Sequence, residues 1–261
     1  MPQTSALLTV MIAAVRKAGR ALARDFGEVE NLQVSKKGPG DFVTAADMRA
    51  EKILFEELSK ARPGYGFLME ERGVVEGTDK SHRWIVDPLD GTLNFLHGQP
   101  HFAISVALER EGELVAGVVY DVIKNELFQA EKGRAAFCNE RRLRVAARTK
   151  LVEAVVATGI PWSGRPGHGP YLNELARVMN AVAGVRRYGA ASLDLAWVAA
   201  GRFDAFWERD LKPWDIAAGV VILREAGGFA HEIDGGDFMK SGSIAAANER
   251  LLPALVTTLR G

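Results

Sequence analysis

Two carboxylates three positions apart, Asp87 and Asp90, close a short apolar run and are the first residues that suggest chemistry. The intervening Pro88 fixes its own φ and is expected to end the strand, which would leave both acids on one bend. Two such charges repel by about 4 kcal/mol at 4 Å and an effective dielectric near 20, and a divalent cation removes that repulsion. Oxygen ligands select Mg²⁺, Mn²⁺ or Ca²⁺. Taken alone, the segment fits a surface turn better; its neighbours favour a metal site.

The two residues after Asp90 suggest a seat for a phosphate group. If a helical turn begins at Thr92, its unpaired amides point towards whatever lies above Asp90. Gly91 lets the backbone approach closely, and the Thr92 hydroxyl can hold a water. Carboxylates for two or three Mg²⁺ ions beside such a helix start are typical of a metal-dependent phosphomonoesterase.

Further acids stand at the ends of other predicted elements, and each has a purely structural explanation. Thr44-x-x-Asp47 matches a capping box, and Asp215 is a suitable N-cap for the helix that follows it. Glu70 fits an exposed charge, and Glu208 could pair with a neighbouring cation. Taken singly, none of these acids indicates a site.

Composition excludes several classes of protein. The 261 residues allow one large domain or two small ones, and 33 basic against 33 acidic residues argue against a dedicated nucleic-acid binder. Cys138 is the only cysteine, which rules out an intrachain disulfide and a cysteine-based metal site. Its apolar flank predicts a buried, inert thiol. The N-terminal apolar run is too short to span a membrane, so we expect a cytoplasmic protein.

Hydrophobic patterning divides the chain into two parts, 1–148 and 149–261. The first part is predicted to be α+β, with an antiparallel meander, and the second α/β, with strands and helices in alternation. Turn formers predict loops over 36–41 and 164–170. The predicted helices span 7–22, 44–60, 171–183, 192–200, 215–226 and 249–259. One predicted strand ends at 87, and the others span 102–108, 114–120, 126–130, 152–158, 185–188, 204–208, 229–233 and 244–247.

Four ordered motifs together resemble the inositol monophosphatase family, which belongs to the lithium-sensitive, magnesium-dependent phosphatases. The resemblance implies a layered α-β-α-β-α sandwich, a homodimer, and hydrolysis of myo-inositol 1-phosphate or a related polyol or sugar monophosphate with Mg²⁺, for which Mn²⁺ could substitute. The bacterial branch is closest, through Leu193-Asp194-Leu195-Ala196. The motifs are Asp41-Phe42-Val43-Thr44-x-x-Asp47, Glu70-Glu71, Asp87-Pro88-Leu89-Asp90-Gly91-Thr92, and Trp214-Asp215-x-Ala217-Ala218-Gly219 with Glu225-Ala226-Gly227-Gly228.

The same resemblance implies a role for each site residue. The first part of the chain would carry most metal ligands, and the second Asp215 and the substrate contacts. Two or three Mg²⁺ ions would be held by Glu70, Asp87, the Leu89 carbonyl, Asp90 and Asp215. Glu70 or the Thr92–Asp47 pair would activate the attacking water, and the Gly91 and Thr92 amides would bind phosphate. The polyol would contact Asp90, Gly189, Ala190, Ala191 and Glu208, with Arg186 as a further candidate.

Departures from the family pattern leave the substrate open. Met69, Leu93 and Ala190 replace residues that are commoner in relatives, and they affect substrate fit rather than metal binding. Alternative substrates are fructose 1,6-bisphosphate, histidinol phosphate and 3′-phosphoadenosine 5′-phosphate, the last disfavoured because nothing resembles an adenine pocket. Some bacterial members act with RNA polymerase or in ribosomal RNA synthesis independently of catalysis. A regulatory partner of RNA polymerase is therefore the alternative of a different class.

Overall fold

The computed structural model describes residues 4–28, 34–38 and 41–261. Its helices are α1 (Ala6–Phe26), α2 (Ala45–Ala61), α3 (Thr92–Leu96), α4 (His168–Ala181), α5 (Ala191–Ala199), α6 (Pro213–Glu225), α7 (Phe238–Ser241) and α8 (Leu251–Arg260). Its strands are β1 (Val34–Gly38), β2 (Asp41–Thr44), β3 (Tyr65–Met69), β4 (Gly73–Val75), β5 (Asp79–Asp90), β6 (Ala103–Arg110), β7 (Glu113–Asp121), β8 (Glu126–Glu131), β9 (Ala136–Cys138), β10 (Arg141–Arg142), β11 (Val155–Thr158), β12 (Gly184–Arg186), β13 (Ala205–Glu208), β14 (Phe229–Glu232) and β15 (Ile244–Ala247).

Two large sheets form the frame of the described chain. The first has the order β10-β9-β8-β7-β6-β5-β3-β4, and its pairs are antiparallel except for the parallel pair of β3 and β5. The second has the order β12-β11-β13-β15-β14, in which β11 runs parallel to β12 and β13. The predicted antiparallel meander is confirmed in β6, β7 and β8.

Buried apolar clusters fill the spaces between the layers. Helices α1 and α2 pack on one face of the first sheet, around Trp84 and Val86. Ile85 points to the opposite face, because side chains alternate along a strand, and there α5 and α6 separate the two sheets. Helices α4 and α8 cover the outer face of the second sheet. The α-β-α-β-α sandwich expected from the resemblance is confirmed.

Strand β5 corrects the prediction made at Pro88. The ladder with β6 pairs Asp87 with Ser105 and Asp90 with Ala103, so the two residues between the acids face a single residue. The strand therefore continues through the proline to Asp90 instead of ending at Asp87. A bulge tolerates a residue without an amide hydrogen, because the ladder is interrupted there in any case.

Element boundaries also differ from the predictions elsewhere in the chain. Positions 36–38 belong to β1 in a hairpin with β2, and positions 39–40 lie outside the described residues. Strand β11 begins at Val155, after a 3₁₀ turn at Leu151–Glu153. Helix α4 begins within the predicted loop, since a proline in the first turn of a helix loses no bond. Helix α6 begins two residues before Asp215, at Pro213.

The predicted division at residue 148 falls between the two sheets, because β10 ends at Arg142 and β11 starts at Val155. It remains a prediction, and the core around α5 and α6 draws residues from both parts. No helix in the described ranges combines the length and apolar character needed to cross a bilayer. Cys138 is half-buried and not fully buried as predicted, and its burial raises the pKa of the thiol to about 11, which fits the predicted inertness.

Candidate active site

The carboxyl ends of β3 and β5 meet at one pocket. The backbone N–H of Glu70 donates to the Val86 carbonyl at 3.2 Å, which extends the parallel pairing and brings Glu70 level with Asp87. Asp87 is buried, and its Oδ1 accepts from the Leu89 N–H at 2.9 Å. The pocket is lined by Glu70, Asp87, Leu89, Asp90, Gly91, Thr92, Leu93, Gly159, Ile160, Trp162, Arg165, Arg187, Gly189, Ala191, Glu208, Leu211 and Asp215.

Thr92 begins a short helix, as predicted, and connects β5 to α2. Gly91 precedes α3 in the left-handed conformation, with a φ of 94°. The Thr92 hydroxyl lies 3.0 Å from the Leu89 carbonyl and 3.3 Å from Asp47 Oδ1. Its single proton can serve only one of these two acceptors at a time.

Asp47 fulfils the capping prediction and also reaches the site. Its Oδ2 accepts from the Thr44 N–H at 2.9 Å and from the Thr44 hydroxyl at 2.5 Å, while the Thr44 Oγ1 accepts from the amides that begin α2. Oδ1 is left facing Thr92. The capping and the functional interpretation therefore hold together, since the two oxygens of one buried carboxylate serve different partners.

Asp215 enters the pocket from the first turn of α6. Its Oδ2 accepts from the Lys212 N–H at 2.7 Å, so Lys212 is the N-cap and the predicted N-cap position of Asp215 was wrong. The Ser105 hydroxyl donates to the Trp214 carbonyl at 3.1 Å and fixes the start of α6 against β6. Pro213 at the first helical position was the sequence signal for this boundary.

The acids of the pocket repel one another. Burial raises the pKa of Asp87 and of Asp215 well above the usual range, and other pocket acids raise both further. Burial likewise raises the pKa of Asp47 and of Asp90 to about 6. These hard, anionic oxygens and the nearby Leu89 carbonyl fit Mg²⁺, which would offset the repulsion. Within the described residues, however, no three His, Cys, Asp or Glu side chains already stand in a metal-coordinating group.

Asp90 links the metal side of the pocket to α5. Its Oδ2 accepts from the Ser192 N–H at 2.8 Å and from the Ser192 hydroxyl at 2.5 Å. Glu208 faces the same space, and burial, followed by the charge of Asp90, raises its pKa to about 8. A Cβ at Gly159 would lie 1.9 Å from Glu208 Oε1, so only glycine leaves room for this carboxyl group.

The remaining predicted substrate contacts divide between pocket and core. Gly189 and Ala191 line the pocket, whereas the Ala190 side chain is buried in the core between the sheets. Arg186 is exposed, donates to the Val185 carbonyl at 2.9 Å and lies outside the pocket. Its neighbour Arg187 lines the pocket instead, which corrects the prediction for Arg186.

Sequence reasoning missed several residues of the site. Ser192 could have been noticed as a hydroxyl in the first turn of a helix, but Trp162 and Arg165 lie in a Gly- and Pro-rich run that carries no periodic signal. Asp194 is buried, and neither of its oxygens has a hydrogen-bond partner among the described residues. Burial and the charges of Glu208 and Asp90 raise its pKa well above the usual range.

Comparisons with known proteins agree along nearly the whole chain. The model of the inositol monophosphatase family matches residues 3–261. An inositol-1-monophosphatase of Mesorhizobium japonicum is 62% identical over 257 residues, which cover 98% of this chain and 97% of that protein. The Nus factor SuhB of Escherichia coli K12 is 41% identical, with coverages of 97% and 96%. The crystal structure of the extragenic suppressor protein suhB from Bartonella henselae has a TM-score of 0.95 at 57% identity, covering 98% of this chain and 99% of that one.

Proposed function

Because the chain belongs to the inositol monophosphatase family, we propose that this phosphatase hydrolyses myo-inositol 1-phosphate, or a related polyol or sugar monophosphate, with Mg²⁺. The observation that carries the proposal is the convergence of Glu70, Asp87, Asp90 and Asp215 on one pocket, where burial and the charges of neighbouring acids raise the pKa of Asp87, Asp90 and Asp215. An enzyme that must gather negative phosphate oxygens among its own carboxylates needs cations between them.

The donor set suggests how two or three cations would be held. We assign Glu70, Asp87 and the Leu89 carbonyl to one, Asp87, Asp90 and Asp215 to another, and Glu70 through water to a third. When bound, Mg²⁺ supplies positive charge that polarises the phosphoryl group and favours deprotonation of the attacking water. The amides of Gly91 and Thr92 would orient the phosphate oxygens, because both residues line the pocket at the end of β5.

The Thr92–Asp47 pair is suited to take up the proton of the attacking water. The Thr92 hydroxyl lies within reach of Asp47 Oδ1, and the Asp47 pKa of about 6 makes this carboxylate a better base than an exposed aspartate. Glu70 is the alternative base. The alcohol part of the substrate would lie against Asp90, Gly189, Ala191 and Glu208, on the α5 side of the pocket.

Asp90→Asn tests this assignment, with Asp79→Asn at the opposite end of β5 as the matched control. We expect Asp90→Asn to lower Mg²⁺-dependent phosphate release from myo-inositol 1-phosphate by at least 100-fold, because a charged ligand becomes a neutral amide. The far-UV circular dichroism should not change, and Asp79→Asn should stay within about threefold of the wild type. Turnover of Asp90→Asn within threefold of the wild type would remove Asp90 from the site.

A second candidate function is favoured by the similarity to the Nus factor SuhB of Escherichia coli. We propose that the chain also contacts RNA polymerase through protein surfaces, because zero net charge gives no support for direct RNA binding. Co-purification with RNA polymerase that survives Asp90→Asn would support a role independent of catalysis. Homodimer formation and lithium inhibition remain predictions from the family, and a cytoplasmic location remains a prediction from the N-terminal sequence.

A further inference from the structure

Three apolar side chains line the same pocket as the carboxylates without being fully buried. Leu93 is 42% exposed and Ile160 is 43% exposed. The ring of Trp162 is partly buried, and the Arg165 guanidinium stacks on it, 3.4 Å from the ring centroid, which holds the ring in place. None of the three side chains carries a charge or an oxygen atom. The contacts proposed above for metal, phosphate and hydroxyl groups therefore leave them unused.

The residues next to Leu93 and Ile160 in sequence show which part of a substrate these side chains would meet. Leu93 follows Thr92 in the first turn of α3, and the Thr92 amide is assigned to the phosphate. Ile160 follows Gly159, whose Cβ position lies 1.9 Å from Oε1 of Glu208, a proposed contact of the alcohol. An ester that reaches from the phosphate-binding turn to Glu208 therefore occupies the pocket that both apolar side chains line.

Exposed apolar groups in a binding pocket favour apolar surface on the ligand. Removing apolar area from water is favourable in proportion to the area that is covered. A hydroxyl group placed against leucine and isoleucine would instead lose its water partners without gaining a hydrogen bond. Single exposed apolar residues are ordinary on a protein surface. Here, however, the first turn of α3 and the loop after β11 bring theirs to one pocket that also holds the carboxylates.

We infer that the preferred substrates are monophosphate esters of an amphipathic alcohol, with hydroxyl groups that contact Asp90 and Glu208 and an apolar substituent of a few carbon atoms that lies against Leu93 and Ile160. The inference rests on the proposed function and narrows its substrate class within the monophosphates. It assigns Leu93 and Ile160 as specificity-determining residues, because one methylene group in an apolar pocket changes kcat/KM by about tenfold or more.

The test compares sn-glycerol 3-phosphate with its 1-O-butyl ether. Both are monophosphates of a primary alcohol and keep the hydroxyl group at C2, and they differ by a four-carbon chain on the oxygen at C1. Phosphate release with Mg²⁺ gives kcat/KM for each ester. We expect the kcat/KM of the wild type to be at least tenfold higher for the butyl ether, because the chain covers apolar side chains that are otherwise exposed.

Variants at the two apolar positions show whether these side chains cause the preference. The ratio of kcat/KM for the ether to kcat/KM for sn-glycerol 3-phosphate should fall at least fivefold in Leu93→Thr and in Ile160→Thr. Leu93→Met keeps an apolar side chain of similar volume, so its ratio should stay within twofold of the wild type. Leu172→Thr is the matched control, because Leu172 is 60% exposed on α4 and lies outside the pocket. A general loss of activity cancels in each ratio.

The outcomes distinguish this inference from the proposed function. If the wild type releases phosphate from myo-inositol 1-phosphate but treats the two glycerol esters alike, prefers the ester without the butyl chain or hydrolyses neither, the inference is wrong and the proposed function stands. The inference is also wrong if the ratio survives in Leu93→Thr or Ile160→Thr, or falls equally in Leu172→Thr. If none of the three esters is hydrolysed with Mg²⁺, the proposed function fails and the inference fails with it.

Discussion

Asp47→Asn separates the capping role of Asp47 from the cost of its buried charge. The side chain is 0% exposed, and burial raises its pKa from 3.8 to about 6. Keeping this carboxylate ionised at pH 8 therefore costs about 3 kcal/mol, from roughly two pKa units at about 1.4 kcal/mol each. An amide oxygen can still accept from the Thr44 N–H, bonded at 2.9 Å in the wild type. The lost charge near the start of α2 costs about 0.3–1 kcal/mol. In the absence of Mg²⁺, the variant should be about 2 kcal/mol more stable at pH 8.

The pH dependence of this gain has a definite sign. The folded-state pKa lies above the unfolded one, so the folded wild type takes up a proton first as pH falls. The stability that protonated Asp47 contributes to the wild type is fully present below the unfolded-state pKa and is lost as the pH rises through about 6. Between pH 8 and pH 5, the wild type should regain about 1.4 kcal/mol relative to Asp47→Asn. This difference does not depend on the capping, which is the same at both pH values.

Urea unfolding in EDTA, followed by tryptophan fluorescence at pH 5 and pH 8, measures the effect. Asp237→Asn is the matched control, because Asp237 caps α7 with a half-exposed side chain. It should show no gain at pH 8. If Asp47→Asn is less stable than the wild type at pH 8, Asp47 is not a buried acid that is costly to ionise. The same conclusion follows if the difference in stability between variant and wild type is equal at pH 5 and pH 8. The variant should also release phosphate more slowly with Mg²⁺, because Thr92 loses its acidic partner.

Two further predictions concern the cation and the polyol side of the pocket. Saturating Mg²⁺ should raise the Tm at pH 8 by several degrees over EDTA, about 3 kcal/mol at 100-fold the Kd. The rise in Tm should be smaller at pH 5, because protons compete with Mg²⁺ for Asp90 there. Equal Tm shifts in thermal melts at pH 5 and pH 8 would contradict this competition. Gly159→Ala should raise KM several-fold at nearly constant kcat, because the new methyl group displaces Glu208. Gly169→Ala, with open space at its Cβ position, is the control in the same kinetic assay, and equal KM values in both variants would argue against the displacement.

Local patterns predicted most elements because their causes are local. The 3.6-residue spacing of apolar residues marked α1, and Thr44-x-x-Asp47 marked the start of α2, where the capping box forms within four residues. The error at Pro88 has a non-local cause: β6 continues the ladder beyond the proline and makes a bulge of what would otherwise be a turn. The hairpin of β1 with β2 likewise depends on pairing between strands rather than on the propensity of residues 36–38.

The confusion of Arg186 with Arg187 has a geometric reason. Consecutive residues near the end of an extended segment point in opposite directions, so an error of one position exchanges a residue that lines the pocket for one that does not. The sequence contains both arginines, but no local signal shows which of the two side chains faces the pocket. Arg165 escaped notice for a related reason, because only the packing of its loop beside Glu208 makes it part of the pocket.

The amino-acid order alone supplied the kinds of ligand, the motif spacing and the ends of the elements on which the acids stand. It could not show that Asp47, Glu70, Asp87 and Asp215 repel one another, because they belong to α2, the end of β3, β5 and α6. The raised pKa values of Asp47, Asp87 and Asp215 arise from burial and from the charges of acids, Glu70 among them, that lie nearby in space. This proximity exists only after the first sheet and the helices on both of its faces have packed together.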